Sequence, residues 1–157
     1  MGCAEQPPNE NDLKMQAAAA VLTQIHKNCG EGTCSKERKR PVCVGYAPTS
    51  EGSLNSNLIA FPNEVFEKIK KNSKTWHNLQ DCAFASDYDV FYLKDNPDRP
   101  VADLFYCDQM TESVDGITMF CGIYTAPMWG HSSDYLVVIK DGKLKVTTPT
   151  PRHVVND

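Results

Sequence analysis

Seven cysteines constrain this 157-residue chain more than any other feature, because six of them can be paired by position. One pair brackets a short Gly-containing loop, a second lies beside two apolar runs, and a third lies on the two arms of one hairpin. The predicted disulfides are Cys29–Cys34, Cys43–Cys82 and Cys107–Cys121, the second of these by elimination. Paired thiols are typical of an oxidising, extracytoplasmic compartment.

The pair Cys107 and Cys121 can be tested against hairpin geometry. If residues 111–116 form the hairpin loop, Cys107 faces Cys121 directly across the two strands. Opposed residues at a non-hydrogen-bonded site have Cα atoms about 4.5 Å apart, which is near the lower limit for a disulfide. The alternative is that both cysteines are buried reduced thiols.

Cys3 is the unpaired cysteine, and three explanations compete for it. Met1-Gly2 can be an expression scar ahead of the first residue of a mature bacterial lipoprotein, or Met1-Gly2-Cys3 can be a native acylation site. Cys3 can also be an unpaired thiol in a disordered tail. The myristoylation pattern requires Ser or Thr where this chain has Gln6, so the first explanation is favoured. It predicts lipidation at Cys3 and a periplasmic or cell-envelope location, with residues 1–11 as a flexible tether.

The composition, at 41% hydrophobic and 23% charged residues, predicts a single domain over residues 12–157. No apolar run approaches the roughly 20 residues that span a bilayer. The net charge of −4 argues against a nucleic-acid binder, because such proteins neutralise phosphates. The basic run at residues 36–40 is predicted to be a solvated loop, with a docking patch as the alternative.

Two helices are predicted from apolar spacing. Residues 12–27 are rich in alanine and place four apolar residues on one face: Met15, Ala18, Leu22 and Ile25. The alanine stripe indicates close packing against a sheet. A second, shorter helix opens at Pro62-Asn63-Glu64, and its predicted inward residues are Val65, Phe66 and Ile69.

A short strand is predicted at residues 41–46, and from Tyr88 the apolar period changes to two. The later strands are predicted at residues 88–94, 101–110, 117–125, 134–140 and 143–148. Asp141-Gly142 is a two-residue turn that pairs Ile139 with Leu144 and Val137 with Val146. One buried face is predicted to hold Tyr135, Val137, Ile139, Leu144 and Val146. The fold class is therefore α+β, with one long and one short helix packed on a four- to five-stranded antiparallel sheet.

Residues 129–134 are predicted to form a loop between two strands, where binding residues concentrate. The predicted binding residues are Trp129, His131, Ser132, Ser133 and Asp134. The alternative is a surface connection with Trp129 folded over the core. The four histidines have no helical i, i+4 partner and no Cys-x-x-Cys motif occurs, so neither a metal nor a cofactor is predicted.

A Gly-His pair before an apolar strand, here Gly130-His131, resembles papain-like peptidoglycan hydrolases, in which that histidine activates a cysteine. Such enzymes need a thiolate at the start of a helix. Cys29 closes a helix instead, and the remaining candidates lie in strands or loops. No catalytic residue is therefore predicted.

The second half of the chain carries a further resemblance, in the segments Phe105-Tyr106-Cys107, Phe120-Cys121-Gly122-Ile123-Tyr124 and residues 135–146. These segments look like the end of small secreted bacterial proteins of unknown function, in which a strand containing Cys-Gly precedes a hairpin that closes on Asp-Gly. The resemblance implies a curved antiparallel sheet packed on a helix, as in cystatin-like and NTF2-like folds. It implies no activity.

These observations favour a lipid-anchored extracytoplasmic binding protein of the immunity or inhibitor type. The expected partner is a protein, either a toxin or a hydrolase, with no nucleic acid and with membrane contact only through the lipid. Two other functions stay open. One is a cysteine–histidine hydrolase that acts on the cell wall, and the other is a structural envelope lipoprotein.

Overall fold

The computed structural model describes residues 10–30, 40–48, 57–71, 73–88, 90–125, 129–147 and 150–152, and it has the predicted α+β fold. The helices are α1 (Glu10–Gly30), α2 (Asn63–Lys70) and a 3₁₀ turn (Leu79–Asp81). The strands are β1 (Val42–Tyr46), β2 (Trp76–Asn78), β3 (Cys82–Ala85), β4 (Val90–Leu93), β5 (Val101–Ser113), β6 (Gly116–Thr125), β7 (Trp129–Lys140), β8 (Lys143–Val146) and β9 (Thr150–Arg152). Among these residues, no helix is both long and apolar enough to cross a membrane.

Helix α1 packs along one side of the sheet through small residues, as its alanine content predicts. The four predicted inward residues are all buried, together with Ala17 and Val21. Alanine at the contact lets the helix axis approach the strands closely. The Sγ atom of Cys107 lies 4.0 Å from the backbone oxygen of Ala18, which shows how close that approach is.

The sheet is mixed, which corrects the prediction of four or five antiparallel strands. Its main order is β2-β1-β5-β6-β7-β8, with β9 beside β7. Strand β1 runs parallel to both β2 and β5, and all five of its residues are buried. A central strand that is covered on both faces is typical of parallel pairing. The prediction missed β2 and β3 because such short segments have no clear apolar alternation, and the pairing partner of β2 also lies far away in sequence.

The sheet curls back over itself through the β3–β4 hairpin. Strand β4 pairs with the beginning of β5, and Phe91 lies opposite Ala102. Apolar residues of this hairpin pack on the side of the sheet away from α1, where they cover Cys43 and Leu104. We call the side that contacts α1 the helix face and the opposite side the outer face.

The buried side chain of Asn78 holds the segment before α2 in place. Its Oδ1 accepts hydrogen bonds from the backbone N–H groups of Phe61 and Leu79, at 3.0 Å each. Its Nδ2 donates to the backbone oxygen of Phe61 at 2.6 Å. One amide side chain therefore satisfies both backbone polar groups of Phe61, as a neighbouring strand would.

The hairpin of β7 and β8 has the predicted register, with Val137 opposite Val146 and Ile139 opposite Leu144. Asp141 and Gly142 have φ angles of 54° and 75°, as a two-residue turn with two positive φ values requires. Val137 is fully buried, but Ile139 is 42% exposed, which contradicts its predicted burial. It lies next to the turn, at the end of the hairpin.

Two predicted disulfides are confirmed, Cys43–Cys82 and Cys107–Cys121. Cys107 lies directly opposite Cys121 in the β5–β6 ladder, with Cα atoms 4.0 Å apart. The predicted pair Cys29–Cys34 and the predicted lipidation site Cys3 lie outside the described residues. The two confirmed disulfides indicate an oxidising, extracytoplasmic compartment.

Candidate functional site

Residues 129–134 are the first half of strand β7 and not a loop, which corrects the sequence-based prediction. They pair with β6 from Thr125 to Phe120. Strand β9 pairs with them on the other side, over Ser132, Ser133 and Asp134. Glycine and serine in this segment favour a turn in isolation, but ladder bonds to two neighbours outweigh that local preference.

The strand alternation divides the predicted binding residues between two faces. Ser133 pairs with Cys121 and therefore points to the helix face, where it is 7% exposed. Ser132 and Asp134 point to the outer face, and Ser132 is 3% exposed. The side chains of Trp129 and His131 lie outside the described part of the chain. Ser132 and Asp134 are therefore brought together, whereas Ser133 is separated from them.

The register places four polar residues close together on the outer face of β5 and β7, with Phe120 and Gly122 of β6 between them. Asp108 lies opposite Phe120, and Phe120 lies opposite Asp134. In the next position, Gly122 lies between Tyr106 and Ser132. We call these six residues the polar row. Adjacent strands are about 4.8 Å apart, so the two aspartates lie about 10 Å apart at their Cα atoms.

Tyr106 and Asp108 interact electrostatically within the polar row. Burial raises the pKa of Tyr106 to about 12, and the negative charge of Asp108 contributes to the rise. Asp108 is itself half-buried, and its Oδ1 atom is inaccessible to solvent. The phenol therefore stays protonated at physiological pH and can donate a hydrogen bond, while the carboxylates accept.

A β-bulge follows Asp108 directly. The register between β5 and β6 shifts between Asp108 and Thr111, so Gln109 and Met110 together oppose Met119. Gln109 takes a positive φ of 52°, which is uncommon for a residue other than glycine. The extra residue turns Met110 to the helix face, where it is 5% exposed. Bulges are enriched beside functional sites, because they re-aim side chains.

Sequence reasoning missed Tyr106, Asp108 and the bulge, although one signal was present. The buried positions of β5 follow a period of two at Phe105 and Cys107 and then skip to Met110. One extra residue in an alternating pattern is the mark of a bulge. Asp108 precedes that irregularity, and this position distinguishes it from the other aspartates in the chain.

The four cysteines at positions 43, 82, 107 and 121 are all in disulfides, so none of them supplies a thiolate nucleophile. No group of three metal-ligating side chains occurs in the described part of the chain. The polar row holds two half-buried carboxylates and a half-buried phenol on one face, with Ser132 buried beside them.

Comparisons with protein-family models, with curated proteins and with solved structures found no match. The functional case therefore rests on this chain's own residues, and the polar row is its strongest element.

Proposed function

We propose that this protein is an extracytoplasmic binding protein of the immunity or inhibitor type, and that it is anchored to a membrane by a lipid on Cys3. In this proposal the polar row contacts a protein partner. Trp129 and His131 lie opposite Thr125 and Ile123, at register positions of the same face as Ser133, and are a second proposed contact. The observation that carries the proposal is the alignment of Asp108 and Asp134 on one face of three adjacent strands.

The rigidity of the polar row supports a binding role. Its residues lie on β5, β6 and β7, each of which has a neighbouring strand on both sides. The Cys107–Cys121 disulfide links two of these strands from the helix face. A surface that is already ordered loses little conformational entropy when a partner binds, so more of the contact energy appears as affinity.

The charge of the polar row defines the partner surface that it fits. Two carboxylates beside a protonated phenol favour arginine or lysine side chains, because charge-assisted hydrogen bonds are stronger than neutral ones. Trp129, the residue type most enriched among binding hot spots, is a proposed contact separate from the polar row. A toxin or hydrolase with a basic contact surface has this chemistry.

The compartment supports the same class of partner. The two disulfides indicate an oxidising environment, in which cell-wall hydrolases and secreted toxins act. The resemblance to small secreted bacterial proteins with a curved sheet is a hypothesis that agrees with this location. A solved structure of a relative would test the resemblance. Mass spectrometry of the membrane-extracted protein would test the lipid on Cys3.

Photo-cross-linking tests the proposed contact surface. Thr118 is exposed and lies on the outer face of β6, two residues from Phe120. A photoreactive residue at position 118 should cross-link the partner, and one at Asp98 in the β4–β5 turn should not. In the position-118 protein, the double variant Asp108→Asn, Asp134→Asn should reduce the cross-link.

The matched control is Asp95→Asn, Asp141→Asn, which makes the same charge change in exposed turns. Equal cross-linking by the two double variants would remove the polar row from the binding surface. Trp129→Ala should weaken a captured complex by about 2 kcal/mol. Release of peptidoglycan fragments that His131→Ala abolishes would support the hydrolase instead.

A further inference from the structure

We propose that the end of the molecule at which α1 and α2 both finish binds an anionic phospholipid surface. Five basic residues lie at this end, and we call them the basic end: Lys27, Arg40, Lys70, Lys71 and Lys74. This contact is direct and is additional to any lipid on Cys3. It depends on the extracytoplasmic location and not on the proposed partner surface.

Several observations bring these residues together. Lys71 is close enough to His26, near the end of α1, to add to the effect of burial in lowering the pKa of that imidazole. The backbone N–H of Val42 donates to the oxygen of Thr75 at 2.8 Å, so the chain entering β1 lies beside the chain entering β2. Arg40 and Lys74 therefore lie on adjacent segments at the end where both helices finish.

Three of the five basic side chains have no ionic partner among the described residues. Lys70 lies 3.7 Å from a carboxylate oxygen of Glu67, and Arg40 lies 3.7 Å from Asp103. Lys27, Lys71 and Lys74 are exposed, and they form no ion pair within the part of the chain that the structure describes. Their charges are therefore available to an external anion.

The charge distribution gives the protein a preferred orientation at an anionic surface. The whole chain has a net charge of −4, yet this end is basic. Five exposed carboxylates lie in the β3–β4 and β4–β5 turns and at the tips of the β5–β6 and β7–β8 hairpins: Asp87, Asp95, Asp98, Asp115 and Asp141. Nearer the basic end, exposed Glu67 pairs with Lys70, and exposed Asp81 lies close enough to His77 to affect its pKa. A molecule with separated charge turns its basic end towards anionic headgroups.

Phospholipid fits this end better than the other polyanions. Nucleic acid is not the usual polyanion of an oxidising, extracytoplasmic compartment, whereas a membrane bounds it. Lysines in the last turn of a helix also stabilise the helix dipole, which is a structural role independent of any ligand. Measuring the thermal stability of the lysine variants beside their vesicle binding separates that structural role from lipid binding.

The test uses the full chain without acylation and vesicles of phosphatidylcholine, with or without phosphatidylglycerol, in co-sedimentation at low salt. We expect binding only to the vesicles that contain phosphatidylglycerol, and we expect high salt to reverse it. The triple variant Lys27→Gln, Lys71→Gln, Lys74→Gln should bind at least tenfold more weakly, since one lysine near an anionic surface contributes roughly fivefold.

The matched control is Lys140→Gln, Lys143→Gln, Lys145→Gln, which removes three exposed lysines of the β7–β8 hairpin and makes the same change in net charge. It should keep its binding. Equal loss in both triple variants, or equal binding to both kinds of vesicle, would overturn the proposal. A loss of binding that follows a loss of thermal stability would assign the lysines to the helix dipole. Binding of the basic end to an acidic protein, without binding to either kind of vesicle, would also overturn the lipid-binding proposal.

Discussion

The two faces of the central strands differ in what they bury. The helix face of β5, β6 and β7 contacts α1 through apolar side chains, and its members Ile117, Met119 and Val137 are at most 2% exposed. The outer face of the same strands carries the polar row, in which Asp108, Phe120 and Asp134 are only half-buried. Both faces belong to the same backbone, so the difference lies in the side chains. The helix face contributes a continuous apolar core, whereas the outer face combines the apolar cluster around Cys43 and Leu104 with the polar row.

Each face is also associated with one disulfide, and the two cross-links should contribute unequally to stability. Cys107–Cys121 on the helix face closes a sequence separation of 14 residues, whereas Cys43–Cys82, which begins on the outer face, closes 39. In the chain-entropy model the longer loop contributes about 4 kcal/mol and the shorter about 3 kcal/mol.

Reduction of two variants compares the two cross-links, because the predicted Cys29–Cys34 disulfide is broken equally in both. In Cys107→Ala, Cys121→Ala, a reducing agent breaks the longer loop, and in Cys43→Ala, Cys82→Ala it breaks the shorter one. Urea unfolding before and after reduction should show the larger loss in the first variant. A larger loss in the second would mean that the helix-face cross-link contributes more than its loop length predicts.

Leucine truncation compares the faces with identical chemistry. Leu22 of α1 is fully buried against the helix face, and Leu136 is half-buried on the outer face. Leu22→Ala should lower the free energy of unfolding by about 3 kcal/mol, because it removes buried methyl groups and leaves a cavity. Leu136→Ala should lose less than half of that. Equal losses of unfolding free energy in urea would show that Leu136 is as well shielded from water as Leu22.

His26 of α1 and His77 of β2 should make stability depend on pH. Burial, with a smaller contribution from Lys71, lowers the pKa of His26 below 6.5, and burial with Lys70 outweighs Asp81 to lower that of His77. The folded state therefore favours the neutral imidazoles, and the unfolded chain binds protons more tightly. Stability should be greatest above pH 6.5 and should decrease as the pH falls below that value.

Urea midpoints at about pH 7.5 and about pH 5 measure this dependence. His26 lies against Trp76, which belongs to the helix-face core, and their ring centroids are 4.4 Å apart. Neighbouring side chains of β2 point to opposite faces, so His77 points away from that core. His26→Gln and His77→Gln should each reduce the difference between the two midpoints. A midpoint that rises on acidification would contradict the lowered pKa of both imidazoles.

The smallest expected effect is a spectroscopic one within the polar row. Asp108 contributes to raising the pKa of Tyr106 to about 12, so Asp108→Asn should lower it. Tyrosinate absorbance should then appear at lower pH than in the wild type, over the range in which circular dichroism shows an intact fold. Asp134→Asn is the control, because it removes the aspartate on the far side of Phe120. Equal shifts in both variants would contradict the close coupling of Tyr106 to Asp108.

The local parts of this fold were predictable from sequence, and the long-range parts were not. The register of β7 and β8 follows from Asp141-Gly142. Cys107 faces Cys121 as predicted, but the predicted loop at residues 111–116 is wrong, because β5 and β6 pair as far as Ser113 and Gly116. The bulge at Gln109 and Met110 shifts the register by one residue and so brings the two cysteines opposite each other. The parallel pairing of β1 with β5 has no local signal, because parallel partners are joined by no tight turn. The same limit explains why a loop was predicted for Ser132 and Asp134, since only their pairing with β6 and β9 makes them a strand.

The position of β1 has a consequence for how the chain must be made and exported. Val42 pairs with Asp103 and Tyr46 with Cys107, so β1 leaves a ribosome or a translocation channel long before its partner strand. Until β5 follows, five residues that are buried in the native state have no lasting cover on that side. Non-local pairing of this kind is slow and exposes the chain to aggregation. A molecule with this topology completes its sheet only after most of the chain has emerged, and premature oxidation of Cys43 with another cysteine would trap it before that point.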